Sequence, residues 1–185
     1  RYKGFAISSQ HSYQFEENVH ISDMASEEVS ELYVDLLKYC KENNIELLLV
    51  ASPWTLISEE RSRLLNKMKL TAEDYGYGFI DGNRFYDKMG LDFREDFKDR
   101  SHVNILGAQK WTEFLGDYLV HHYNLPDHRG DSGYDLWHAG YEAYAKEVAD
   151  AEHKVREEIQ DHDDSLNNEE IMRDTDEFAT WFELA

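Results

Sequence analysis

The sequence predicts an α/β fold, a parallel sheet with flanking helices, followed by an acidic helical extension at the carboxyl end. Amphipathic repeats alternate with short apolar runs, the connections between them are short, and acidic residues concentrate late in the chain. Residues 1–126 are expected to form the α/β domain and residues 127–185 the extension. A chain of 185 residues that is 41% hydrophobic is long and apolar enough to bury a core.

The first predicted helix lies in the stretch SEEVSELYVDLLKYCKENN. Ser26 is a suitable N-cap, and Asn43 and Asn44 are expected to end the helix. Apolar residues repeat at helical spacing and predict an inward face. That face comprises Val29, Leu32, Tyr33, Leu36, Leu37 and Cys40.

Two strands and two more helices are predicted after it. The continuous apolar run at residues 45–50, closed by Pro53, indicates a parallel strand buried on both faces. A helix is expected at about residues 59–75, with Leu64, Leu65, Met68 and Ala72 inward, and YGFIDGN supplies a strand that ends at Asp81. GAQKWTEFLGDYLVHHY predicts the last helix of the domain. This alternation favours a parallel sheet with short crossovers.

The charge of the chain excludes one class of partner. The formal net charge is −20, and residues 127–185 carry 18 acidic but only five basic side chains. Such a chain repels phosphate backbones, so nucleic acid is not expected to bind. No apolar run is as long as a membrane helix requires, and the single Cys40 leaves no internal disulfide.

The stretch DFKDRSHVNILG contains the residues that point most directly to chemistry. A histidine that acts as a general base needs a carboxylate on one ring nitrogen and a free second nitrogen, and Asp99 with His102 supplies that spacing within one loop. The same spacing recurs at Asp135 and His138, so it is not specific by itself. Ser52 follows the first strand, and it is expected at the same sheet edge as this loop.

The wider sequence around that loop resembles the last conserved block of the SGNH (GDSL-type) hydrolase superfamily. The resemblance rests on DFKDRSHVNILGAQKWTEFLGDYL, together with NNIELLLVASPWT and YGFIDGN for the two strands that precede it. It implies an SGNH or flavodoxin-like sheet, incomplete here, in which Asp99 orients the imidazole and His102 is the base. Asn104 would cap the next helix or brace the loop, and Ser52 would line the site.

Within the superfamily, the chain looks most similar to cell-envelope proteins of the D-alanylation and alginate-acetylation type. That likeness implies an acylated carbohydrate or cell-envelope polymer as substrate, a membrane acyltransferase as partner, and a location outside the cytoplasm at the cell surface. It implies no cofactor. No metal is expected either, because the acidic stretch at residues 161–172 lacks the glycine and glutamate of a calcium-binding loop.

The family's nucleophilic serine, in a Gly-Asp-Ser turn, has no counterpart before residue 45. Ser8 and Ser9 lack that turn, and RGDSGY around Ser132 follows the histidine block and is expected to be an ordinary turn. We therefore expect a carboxyl-terminal portion of a larger protein, inactive alone, that contributes the base half of a serine esterase or O-acyltransferase. The alternative is a non-catalytic acidic interaction module that keeps the fold.

Overall fold

The structure is a computed structural model that describes residues 6–11 and 28–183, and the side chains of residues 6–11 and 28–167. It divides the chain into two compact units. One is Ser12–Asp127, and the other combines Arg1–His11 with His128–Ala185. The candidate site and the α/β elements belong to the first unit.

A parallel β–α–β arrangement forms the centre of the first unit, as predicted. Strand β1 (Leu48–Ala51) pairs in parallel with β2 (Gly78–Asp81), from Leu48 opposite Gly78 to Ala51 opposite Asp81. Helix α2 (Glu59–Asp74) connects them, and its N-cap Ser58 accepts a hydrogen bond from the Arg61 N–H. The carboxyl ends of both strands therefore lie at one edge of the sheet.

The core of this unit lies between the sheet and helices α1 (Glu31–Glu42) and α2. Tyr33 and Leu37 from α1 pack with Ala72 from α2, and apolar side chains of the sheet, including Leu49 and Phe79, pack against them. The Tyr33 hydroxyl donates to the Met68 carbonyl at 2.9 Å, which satisfies it inside the core. Burial raises the pKa of Tyr33 to about 12.

Helix α1 differs from its prediction in its start and in its inward face. It begins at Glu31 with Ser30 as N-cap, so Val29 precedes the helix, and the predicted cap Ser26 lies outside the described residues. Leu32 is 82% exposed and Leu36 is also exposed, which makes their predicted burial wrong. The described sheet has only two strands, so it covers only the narrow stripe formed by Tyr33, Leu37 and Cys40.

Strand β1 is also less buried than its apolar run predicts. Val50 is 49% exposed, and Leu48, Leu49 and Ala51 are only half-buried. A strand is buried on both faces only where layers cover both. In the two-stranded sheet that the described residues form, Val50 does not have a covering layer on both faces. Leu64, predicted inward on α2, is 37% exposed, whereas Ala72 is buried as expected.

The last part of the unit contains a β-hairpin where the sequence predicts a loop. After the short helix α3 (Tyr86–Met89), β3 (Phe97–Asp99) and β4 (His102–Val103) pair antiparallel and lead into α4 (Ile105–His122). Strands this short carry no detectable alternation, so the pattern gave no sign of them. The hairpin places the Asp99–His102 motif on a tight turn.

The extension contains one long helix, α5 (Asp135–Glu183), preceded by a single 3-10 turn at Ser132–Tyr134. Val148, Ala151 and Val155 are buried, at the spacing of one face of a helix. Most other described side chains of α5 are exposed, in keeping with its acidic composition.

Two glycines of α4 offer a paired test of this packing. A Cβ at Gly107 would collide with the carbonyl oxygen of Asp96, whereas a Cβ at Gly116 would meet nothing within 4 Å. We expect Gly107→Ala to lower the free energy of unfolding by about 1–3 kcal/mol through overpacking. Gly116→Ala should raise it by about 0.5–1 kcal/mol, since alanine favours the helix. Chemical denaturation measures both, and equal effects would contradict the described approach of α4 to Asp96.

Candidate active site

The structure brings Asp99 and His102 together across the β3–β4 turn. They are paired residues of the hairpin, and His102 Nδ1 lies 2.8 Å from Asp99 Oδ1 and 3.0 Å from Oδ2. When Nδ1 carries the proton, it donates to the carboxylate and leaves Nε2 as the basic atom of the ring. This is the arrangement that a general base requires.

Ser101, between the two residues, completes the surroundings of the carboxylate. Its backbone N–H donates to Asp99 Oδ1 at 2.9 Å, and its hydroxyl lies 3.2 Å from the same oxygen and 3.2 Å from His102 Nδ1. Partial burial raises the pKa of Asp99, but the hydrogen bonds from Ser101 and His102 and the charge of the imidazolium outweigh it. The pKa of Asp99 therefore lies below its ordinary value.

The imidazole is open to solvent. The His102 side chain is 69% exposed and that of Asp99 is 46% exposed. The hydrogen bonds of the His102 ring to other described residues all involve Nδ1, and Nε2 makes none. An exposed pair of this kind contributes little to stability.

Ser52 lies at the carboxyl edge of the sheet, as predicted, and is exposed. Its carbonyl accepts a long hydrogen bond, 3.4 Å, from Asn83 Nδ2. The Asn83 amide also donates to Asp81 Oδ1 at 2.8 Å and accepts from the Trp54 N–H at 2.8 Å. Sequence reasoning missed Asn83, although an asparagine two residues beyond a strand end is a recognisable signal for such a brace.

A second contact joins this edge to the β3–β4 turn. The buried Thr55 donates its backbone N–H to the carbonyl of Arg100 at 2.9 Å, and its hydroxyl lies 3.3 Å from the same oxygen. Arg100 lies within the turn between Asp99 and His102. The loop that leaves β1 is therefore bonded directly to the turn that carries the imidazole. No pattern in the sequence indicated this role for Thr55.

Asn104 has both of the roles that the resemblance implies for it. Its side-chain oxygen accepts from the N–H groups of Leu106 (2.9 Å) and Gly107 (3.3 Å), which caps α4, and its amide donates to the Glu95 carbonyl at 2.6 Å. Asp96, three residues before Asp99, is completely buried and paired with Lys110. It is therefore not a solvated acid, although it lies in a polar stretch of the sequence.

A cavity of about 340 Å³ lies beside Ser52, between β1 and α2. Its lining is mainly aliphatic, with the Arg61 guanidinium stacked 4.4 Å from the centre of the Trp54 ring. Apolar residues of the lining are Val50, Ile57, Leu64, Leu65 and Met68. The cavity places apolar surface next to the polar sheet edge.

The other serines considered as nucleophiles belong to the second compact unit. The Ser8 hydroxyl accepts from the Gln10 N–H at 3.3 Å. Ser132 begins the 3-10 turn before α5 and does not follow a strand, as expected.

Histidines elsewhere on α4 have a local structural explanation. The Nδ1 atoms of His121 and His122 lie 2.6 Å and 2.8 Å from the carbonyls four residues earlier. No group of three or more potential metal ligands occurs among the described residues.

Comparisons with known proteins add no assignment. No family model, no curated protein and no solved structure matches the chain. In the part of the chain that the structure describes, no helix has both the length and the apolar character needed to cross a membrane. The class that the fold defines is therefore a mixed α/β protein with a small parallel sheet.

The lowered pKa of Asp99 predicts an acid-sensitive contribution to stability. A carboxyl group with a lower pKa in the folded state stabilises the protein above its unfolded value, about 3.9 for aspartate, and this contribution is lost as pH falls through the folded pKa. We expect wild type to be more stable than Asp99→Asn at pH 6 and the difference to shrink below about pH 4. Chemical denaturation across that range measures it, and a constant difference would contradict the assigned hydrogen bonds.

Proposed function

We propose that this chain is the base-bearing portion of an SGNH-type serine esterase or O-acyltransferase. The hydrogen bond between Asp99 and His102 is the observation that carries the proposal, because it leaves Nε2 as the basic atom on an exposed ring. The parallel β1–β2 pair and the Thr55–Arg100 contact support it by bringing the motif to the carboxyl edge of the sheet.

In the proposed reaction, a serine hydroxyl attacks the carbonyl carbon of an ester while His102 Nε2 removes the hydroxyl proton. The tetrahedral intermediate collapses, the bond to the leaving alcohol breaks, and the imidazolium returns the proton to that alcohol. Water, or a hydroxyl of an acceptor, then attacks the acyl-serine by the same proton transfers in reverse. Asp99 stabilises the imidazolium that forms in each half of the cycle.

The attacking serine is proposed to come from sequence upstream of this chain. No Gly-Asp-Ser turn precedes β1 in the sequence, Ser8 and Ser9 lack that turn, and Ser132 follows the histidine block. Because members of a triad act as a unit, the base half alone loses most of the catalytic advantage.

The proposed substrate is an acylated carbohydrate of the cell envelope, with a membrane acyltransferase as partner and a location outside the cytoplasm. Only the family resemblance supports these three points. The exposure of His102 is compatible with them, since an open imidazole can approach an acyl group carried on a polymer.

A non-catalytic interaction module is the second candidate. The pair formed by His128 and Asp131 favours it, because that pair has the same kind of contact, Nδ1 to Oδ2 at 3.0 Å, between two residues that the proposed chemistry does not use. A carboxylate beside a histidine therefore does not by itself define a catalytic site in this chain. The two candidates differ in the role of the His102 imidazole: the esterase needs it as a base, whereas the interaction module does not.

The chain by itself is expected to hydrolyse p-nitrophenyl acetate no faster than a surface histidine does. Purified chain and a Ser52→Ala variant should give the same low rate, because Ser52 lines the site and does not attack. A robust turnover that disappears in Ser8→Ala, Ser9→Ala or Ser132→Ala would overturn the assignment of an external nucleophile.

In the full-length protein, His102→Ala should lower hydrolysis of an acetyl ester by about 10³-fold or more, because the serine loses its base. His128→Ala is the matched control, since it removes the other histidine of an aspartate pair. Steady-state kinetics of both variants, with circular dichroism as a check on folding, measure the difference. Equal activity of the His102 variant and wild type would favour the interaction module.

A further inference from the structure

A buried ion pair between Asp96 and Lys110 lies next to the catalytic hairpin and has no part in the proposed chemistry. Lys110 Nζ is 2.6 Å from Asp96 Oδ2 and 2.8 Å from the carbonyl of Gly90. Asp96 Oδ2 also accepts from the Asp92 N–H at 2.6 Å. The Asp96 side chain is completely buried, whereas that of Lys110 is about one-third exposed.

The pair is a costly way to fill this space. Asp96 Oδ1 is buried and has no hydrogen-bond partner among the described residues. Desolvation of a buried carboxylate consumes much of the attraction it gains, and uncharged groups of similar volume are often as stabilising or more so. The role of the pair is therefore better sought in where it holds the chain than in the stability it adds.

Asp96 is fixed through both its backbone and its side chain. Its carbonyl accepts from the N–H of Asn104 at 2.9 Å, and Asn104 lies two residues after His102. Its carboxylate holds Lys110, one turn into α4. Gly107 of the same helix lies directly against it, with no room for a Cβ. Asp96 thus joins the start of β3 to the chain that leaves β4 and to the helix beyond.

This junction lies at the open end of the hairpin, beside the pair formed by Phe97 and Val103. Phe97 pairs with Val103 and Asp99 with His102, with an irregularity between the two pairs. Strands of three and two residues have few ladder bonds to define a register, and a shift by one residue turns a side chain to the opposite face. A shifted Asp99 would no longer face His102.

We propose that Asp96 and Lys110 are positioning residues, whose buried pair locks the hairpin in the register that keeps Asp99 on His102. The proposal rests on the proposed function only in giving His102 a catalytic purpose. The hydrogen bond between Asp99 and His102, which the proposal explains, is present whether or not a reaction takes place.

The test is a titration of the Asp99 carboxyl group by ¹³C NMR in variants of the whole chain. In Lys110→Met, the pKa of Asp99 is expected to rise to the ordinary aspartate value of about 3.9, because the hydrogen bonds that lower it are lost with the register. The ¹⁵N resonance of His102 Nδ1 should lose the shift caused by that hydrogen bond. Lys110→Arg, which keeps a cation for Asp96, should retain both signals.

A charge-neutral variant separates positioning from simple electrostatics. Asp96→Asn combined with Lys110→Met removes one charge of each sign and should raise the pKa of Asp99 as the single variant does. Lys69→Met, which removes a lysine from the exposed pair with Glu73 on α2, should leave it unchanged. An Asp99 titration in the folded double variant that equals wild type would overturn the proposal.

Circular dichroism identifies variants that fail to fold. If Lys110→Met alone unfolds, the Asp99 titration in the double variant tests the proposal, since uncharged replacements of a buried pair are expected to spare the fold. If the double variant also unfolds, the pair is a structural necessity and the positioning role is refuted. None of these measurements needs turnover, so an absence of esterase activity would refute the proposed function and leave this result intact.

Discussion

Parallel pairing of β1 with β2 is the constraint on which the candidate site depends. It sends both strands out at one edge of the sheet, so Ser52 and Asn83 meet although 31 residues separate them. The loop that begins at Ser52 then reaches the β3–β4 turn through the bonds from Thr55 to Arg100. An antiparallel pair would place these loops at opposite ends, and the imidazole would have no sheet edge beside it.

The sequence predicted the elements with long or strongly patterned signals. Helix α2 and strand β2 have the expected positions, and Asn104 caps α4 because an asparagine before a helix is a strong local signal. Asp99 and His102 could be paired in advance for a similar reason, since a separation of three residues within one loop puts the two side chains within reach of each other. Local spacing was sufficient to indicate each of these features.

Burial was harder to predict, because it depends on neighbours that the sequence does not specify. The apolar run of β1 indicated two covered faces, yet Val50 is exposed, and Leu32 on α1 is exposed although it belongs to an apolar repeat. Asp96 shows the opposite case. An acid in a polar stretch is ordinarily solvated, and only the approach of α4 at Gly107 explains why this one is buried. Thr55, whose role depends on a contact with Arg100, 45 residues later in the chain, gave no sequence signal at all.

The amide of Asn83 places a chemical requirement on this edge of the sheet. It donates to the buried carboxylate of Asp81 and accepts from the Trp54 N–H, so one side chain must offer both kinds of hydrogen-bonding atom. A carboxylate at position 83 could still accept from Trp54, but it would have no proton to donate and would face Asp81 where water hardly reaches. An amide therefore joins the two strand exits in a way that an acid of the same shape does not.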